Sequence, residues 1–155
     1  MIPSWLIIGG LATIVAFALN RLSVDDIRWF NRLRRPRWLI FEGAIPFIWI
    51  FIFICGGWSA YIVWEKNPGS FHTWLLMGFY LLVEITIMAY TPVMCKFRSL
   101  KVGTIIGGLG FILGLILFLM VVFVSFWAAF LLVPYLLWSP IGTYVTWAMI
   151  PLNNE

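Results

Sequence analysis

Long apolar runs separated by short polar ones organise the chain. Residues 3–20 carry no charge, just enough chain to cross about 30 Å of hydrocarbon as a helix. A polar, basic stretch fills 21–42. A second uncharged run covers 44–64, and Glu65-Lys66-Asn67-Pro68-Gly69 reads as a tight turn. A third run, 71–95, contains one acid, Glu84. After the basic loop from Lys96 to Lys101, no charge occurs between Val102 and Asn154. At about 1.5 Å of rise per residue, that stretch exceeds one crossing. It predicts helices at 102–123 and 127–150, joined at Val124-Ser125-Phe126. The pattern predicts an all-α membrane protein, a single five-transmembrane-helix bundle over residues 1–155.

Charge gives this bundle an orientation. Nine of the ten Lys and Arg residues lie in the first and third loops, on the side of the C-terminus; only Lys66 lies opposite. The positive-inside rule then puts the N-terminus outside and the C-terminus inside. The first run has no basic residue before it and no small-x-small cleavage site before Asn20, so it reads as a retained helix. In the first loop, Ser23 followed by Asp26 predicts a capped helix through Ile27, Trp29, Phe30 and Leu33, stopped by Arg35-Pro36. Such a helix lies at the interface, with Trp29 and Trp38 at headgroup depth.

Composition narrows the function classes. Apolar residues make up 63% of the chain and charged residues 10%, against about 25% charged in soluble domains. The formal net charge of +4 does not point to nucleic acid, because the basic residues mark loops between spans. Cys55 and Cys95 lie in apolar runs without CxxC spacing and read as packed free thiols. His72 has no second histidine nearby and reads as interfacial rather than as a haem ligand. No triad, P-loop, dinucleotide motif, metal-ligand set or carboxylate pair is present.

Four features remain. Pro46, Trp49, Phe53, Gly57, Ala60 and Trp64 share one face of the second helix. They form either a packing seam or the aromatic wall of a ligand cavity. Tyr135, Trp138, Gly142 and Thr146 share a face of the fifth helix. The two stripes together would suit a flat aromatic ligand. Gly103, Gly107, Gly110 and Gly114 line the fourth helix and permit close approach, within the chain or to a second copy. Glu84 is an intramembrane acid, costly at about 2.5–3.5 kcal/mol, and such groups face a cavity or a partner.

The order of motifs resembles the TspO/MBR family of tryptophan-rich sensory and translocator proteins. Trp29-Phe30-Asn31-x-Leu33-x-x-Pro36-x-Trp38 is similar to its first-loop signature. Pro46-x-x-Trp49, Tyr90-Thr91-Pro92 with Gly103 downstream, Pro134-Tyr135-x-x-Trp138 and Leu152-Asn153 follow in family order. Ten tryptophans in 155 residues agree with the name. The chain departs from the family at Ile40-Phe41, where prolines are usual, and at Ile87, where an asparagine is usual. It also departs at Met94-Cys95 and Val145-Thr146. No Lys or Arg follows Lys101, so sterol recognition is not carried over.

The resemblance implies a porphyrin or haem-like tetrapyrrole as ligand, with no obligatory cofactor and no metal. It implies a role in sensing, reception, transport or disposal of porphyrins, linked to stress. It places Trp49 and Trp138 on the pocket, with Phe30, Phe53, Tyr90, Tyr135 and Gly142 around them. Glu84, one turn from Ile87, is the expected replacement for the lost amide. The first-loop arginines match propionate groups. A homodimer follows by family analogy, in a prokaryotic inner or an organellar membrane. Two alternatives are a small structural subunit of a larger membrane complex and a light-dependent porphyrin-degrading enzyme.

Overall fold

The structure, a computed structural model, describes residues 2–153; the last polar residues, Asn154 and Glu155, lie outside the described residues. Seven α-helices follow in order: α1 Ser4–Leu19, α2 Val24–Arg32, α3 Ile45–Lys66, α4 Phe71–Phe97, α5 Leu100–Val121, α6 Phe126–Phe130 and α7 Val133–Met149. Short 3₁₀ turns cover Glu42–Ala44 and Pro151–Asn153. No strand occurs among the described residues. The protein is an all-α membrane protein. Four of its spans are long and apolar enough to cross a bilayer: Glu42–Lys66, Phe71–Phe97, Leu100–Val121 and Phe126–Asn153. A fifth is reached when α1 and α2, bent by 83° at the break between them, are taken together.

Local chemistry explains the helix ends. Ser23 and Asp26 form a reciprocal capping box: Asp26 N–H donates to Ser23 Oγ and Ser23 N–H donates to Asp26 Oδ2, both at 3.1 Å. Ser70, Ser99 and Ser125 cap α4, α5 and α6 by accepting from the backbone three residues on. Arg98 stops α4 in the left-handed region at φ 49°. Pro92 lies inside α4, and the helix runs five residues past it to Phe97.

Residues 127–150 do not form one continuous helix. The segment breaks at Leu131-Leu132, between α6 and α7. Pro134 has no N–H to offer Phe130, and Leu132 N–H turns to Ala129 O at 3.0 Å. The Ala128 carbonyl that this releases accepts from Ser59 Oγ at 2.7 Å, and Ser59 also meets Tyr80 Oη at 2.6 Å. Ser59 is fully buried. A broken helix inside a bilayer needs such an internal partner, because lipid supplies none.

The helices pack as a ring. α1 lies on α3 and α4, α4 on α5, and α5 on α7, while α3 reaches α7 over a short stretch only. α4 and α7 both meet α5 closely because α5 presents glycines. A Cβ on Gly107 would lie 2.5 Å from Thr143 Oγ1, and one on Gly103 2.5 Å from Met94 Sδ. A Cβ on Gly114 would lie 2.6 Å from Tyr135 Cε1. The glycine face is therefore spent inside the chain, which decides between the two uses open in the sequence. Lipid is as apolar as leucine, so this close packing, rather than burial from water, holds the ring.

Candidate ligand site between α3, α7 and the first loop

The space between α3 and α7 is filled with aromatic rings. Trp49 on α3 lies 6.3 Å from Tyr135 on α7 and 5.8 Å from Phe53. Trp138 on α7 meets Phe41 of the first loop edge-on, at 6.3 Å and 80°. Trp38 lies 6.5 Å from Phe41 and stacks on Tyr144 at 5.7 Å. Tyr135 and Trp138 are buried core residues, and Phe41, Trp49, Tyr80 and Ile87 pack against the same cluster. The first loop thus enters the bundle where direct contact between α3 and α7 is scarce.

The fifth-helix stripe is the inward face of α7: Tyr135, Trp138 and Thr146 are all buried. The second-helix stripe is not the inward face of α3. The buried residues there are Ile52, Cys55, Ser59, Ala60 and Val63. Most of the stripe sits on a flank, rotated by about 100° at 3.6 residues per turn. Pro46 is exposed, and Gly57 has open space where a Cβ would go. Gly57 therefore makes no close approach, since no neighbouring helix reaches it. Only Trp49 and Phe53 turn from that flank into the ring cluster.

A second cluster lies at the loop end of the bundle. Phe30 and Tyr90 pack with Leu33, Met94, Leu100, Val145 and Met149. Tyr90 Oη shares a short hydrogen bond with Thr146 Oγ1, and Thr146 donates to Gly142 O at 3.3 Å. A Cβ on Gly142 would touch Trp138 Nε1 at 3.4 Å. Gly142 lies between Trp138 and Thr146 on α7, at the junction of the two clusters; Trp49, Phe53, Tyr135 and Trp138 stand in the first and Phe30 and Tyr90 in the second.

Glu84 is the eighth expected residue. It is half-buried, with no hydrogen-bond or ion-pair partner among the described residues. Thr86 faces α5, its methyl 3.5 Å from where a Gly110 Cβ would lie. Glu84, two residues earlier, points about 200° round the helix from Thr86. It stands one turn from Tyr80 and one turn from Ile87, both of which pack against the aromatic cluster.

The loop is pinned at both ends. Arg34 N–H donates to Asn153 Oδ1 at 2.8 Å, and Asn153 Nδ2 donates to Arg34 O at 3.1 Å. Asn153 Nδ2 also reaches Met149 O at 2.9 Å. At the α2 end, Arg98 Nη1 meets Asp26 Oδ1 at 2.8 Å, with its guanidinium 5.8 Å from the Trp29 ring. The Ser23 backbone N–H, with help from the Ser23 side chain and Arg98, holds the Asp26 carboxyl below its usual range against the opposing effect of burial. Arg35 pairs with Glu42 at 3.2 Å, lies over Phe30 at 4.9 Å and donates to Leu33 O at 2.6 Å. Arg35 and Arg98 are thus committed internally. Arg21, Arg32, Arg34 and Arg37 are the exposed first-loop cations whose side chains have no partner among the described residues. Two clefts open elsewhere on the outer surface. One of about 400 Å³ is lined by His72, Ile116, Leu119, Met120 and Phe123. The other, about 310 Å³, lies between Gly108 and Trp147.

The TspO/MBR family profile matches residues 5–152. The chain belongs to that family. It is 28% identical to the uncharacterized membrane protein YtaB of Bacillus subtilis (strain 168), over 95% of this chain and 97% of that protein. It is 29% identical to the tryptophan-rich protein TspO of Bacillus cereus (strain ATCC 14579), over 83% of this chain and 82% of that one. The match spans all five membrane-crossing segments, so TspO/MBR membership and an integral membrane location rest on nearly the whole chain. Phe41 and Asn153 are the residues that sequence reasoning did not place at the site. Phe41 carried a signal only as a departure from the motif pattern that the chain resembles. Asn153 was visible only as part of a terminal motif.

Proposed function

We propose that this TspO/MBR protein binds a porphyrin or haem-like tetrapyrrole between α3, α7 and the first loop, and takes part in sensing, transport or disposal of such molecules. The observation that carries the reading is the pairing of Trp49 with Tyr135 and of Trp138 with Phe41, between α3, the first loop and α7, where direct packing of α3 on α7 is slight. Ring faces reward a flat conjugated ligand. The exposed first-loop arginines stand at the loop end of this site, where guanidinium groups match propionates. A homodimer, if formed, uses a surface other than the α5 glycines, which are occupied by α7.

Titration of the purified protein with protoporphyrin tests this, read by tryptophan quenching and the porphyrin absorption band. Saturable binding in wild type, weakened by Trp49→Phe and Trp138→Phe, is expected. No saturable change in wild type refutes the reading. Glu84→Gln and Glu84→Leu decide the acid's part: unchanged affinity in both removes it from the site. Loss of the absorption band on illumination, absent in Trp138→Phe, would favour degradation over carriage.

A further inference from the structure

A flat molecule held between two rings needs about 7 Å from ring to ring, two carbon contact distances of about 3.5 Å. Phe41 and Trp138 are 6.3 Å apart between centroids and nearly perpendicular. One edge therefore points at the other ring, and a macrocycle does not fit between them. Of the two, Trp138 is fixed: it is buried in the middle of α7. Phe41 is held differently. The backbone bonds around it are local: Leu39 N–H to Pro36 O, Ile40 N–H to Trp38 O, and Ala44 N–H to Phe41 O. Its neighbour Ile40 is 90% exposed. The loop backbone is tied down on either side of it, by Asn153 at Arg34, by the stack of Trp38 on Tyr144 and by the Arg35–Glu42 pair, and none of these holds the Phe41 ring itself. Phe41 can therefore leave Trp138 by rotation of its own side chain, with the backbone of the loop and the start of α3 kept in place.

We propose that Phe41 is a built-in plug of the tetrapyrrole site and its specificity-determining residue. Its ring takes the place on Trp138 that a flat ligand needs, and the ligand must displace it to bind. The inference rests on the ligand reading above and adds a competition between the Phe41 ring and the ligand for the face of Trp138. A ligand's apparent affinity falls by the fraction of molecules in which Phe41 is withdrawn. The plug therefore filters for ligands whose stacking on Trp138 exceeds that of one phenyl ring.

The experiment uses the full chain in lipid nanodiscs with protoporphyrin as probe, comparing wild type, Phe41→Ala and Phe41→Leu. Removing one aromatic pair should tighten binding roughly three- to tenfold in Phe41→Ala, mostly through faster association, with Phe41→Leu between. A second readout needs no ligand. In protein carrying 5-fluorotryptophan, the Trp138 fluorine resonance, assigned by its loss in Trp138→Phe, should become accessible to a soluble nitroxide in Phe41→Ala. Wild-type binding with equal or weaker affinity in Phe41→Ala overturns the plug while leaving the ligand reading intact. A Trp138 resonance equally shielded in both proteins also overturns it. Absence of protoporphyrin binding in all three proteins, with Trp138 unshielded by Phe41→Ala, supports the plug as structure and sinks the ligand reading instead.

Discussion

Gly114 and Gly108 sit six residues apart on α5, and adding one methyl group to each should change stability in opposite directions. At Gly114 a Cβ would stand 2.6 Å from Tyr135 Cε1, 3.0 Å from Cδ1 and 3.6 Å from Leu136 Cδ2. Normal contact needs roughly 3.5–4.0 Å, so the Tyr135 ring must move by about 1 Å. Tyr135 is only 7% exposed and lies against Trp49, so it has little room. Overpacking of this kind costs about 1–3 kcal/mol. Alanine returns about 0.8–1.0 kcal/mol of helix propensity, leaving Gly114→Ala destabilised by about 0–2 kcal/mol. At Gly108 nothing lies within 4 Å of the added Cβ, so only the propensity gain remains. The two variants should therefore differ by about 1–3 kcal/mol. Reversible unfolding in mixed micelles, followed by near-UV circular dichroism at several protein concentrations, measures the difference. Equal shifts, or a Gly114→Ala loss that fades on dilution into monomer, would refute the packing argument and return the glycine face to a dimer.

Ser59→Ala strips the Ala128 carbonyl and Tyr80 of a buried partner, and a loss of about 1–3 kcal/mol is expected by the same unfolding assay. Tyr80→Phe leaves the Ser59–Ala128 bond in place and should cost less, about 0.5–1.5 kcal/mol. Asn153→Ala frees Arg34 from the end of α7, and residues 33–44 should then be cut faster by trypsin after Arg34 and Arg37 while the helices stay protected. The Asp26 carboxyl is lowered in the folded chain, so its contribution is fully present above the free carboxyl value of about 4 and is lost as pH falls through the lowered value. Amide exchange in α2 should accelerate over that acidic window, and Asp26→Asn should remove the pH dependence.

How much of this was legible in the sequence follows from what each signal depends on. The five apolar segments were legible because a bilayer enforces length and polarity residue by residue. The Ser23–Asp26 capping box was legible because both halves lie within one turn. The inward face of α7 was legible from Tyr135, Trp138 and Thr146, since that helix has one dense neighbour, α5. The face of α3 was not. In lipid both sides of a helix are apolar, so periodicity of bulky residues does not separate a packed face from a lipid-facing one, and Gly57 ended in open space. The break between α6 and α7 was foreshadowed by Pro134, but its position depended on Ser59, some seventy residues upstream.

The tryptophans show where chemistry and solvation part company. Of ten in the chain, six are exposed: Trp5, Trp38, Trp58, Trp74, Trp127 and Trp147. Indole rings gather at membrane interfaces for reasons unrelated to any ligand, so most of this abundance carries no information about a site. Trp138 alone is buried among the described residues. Trp49 is the half-buried one whose ring faces another aromatic across the gap between α3 and α7. Trp38 belongs to both groups, exposed at the rim yet linked through Phe41 to Trp138. A ligand reading should therefore be tested at Trp138 and Trp49, with Trp74→Phe as the control that changes tryptophan content at the opposite end. If Trp74→Phe weakens protoporphyrin binding as much as Trp138→Phe, the binding is a property of the aromatic belt and not of the bundle interior.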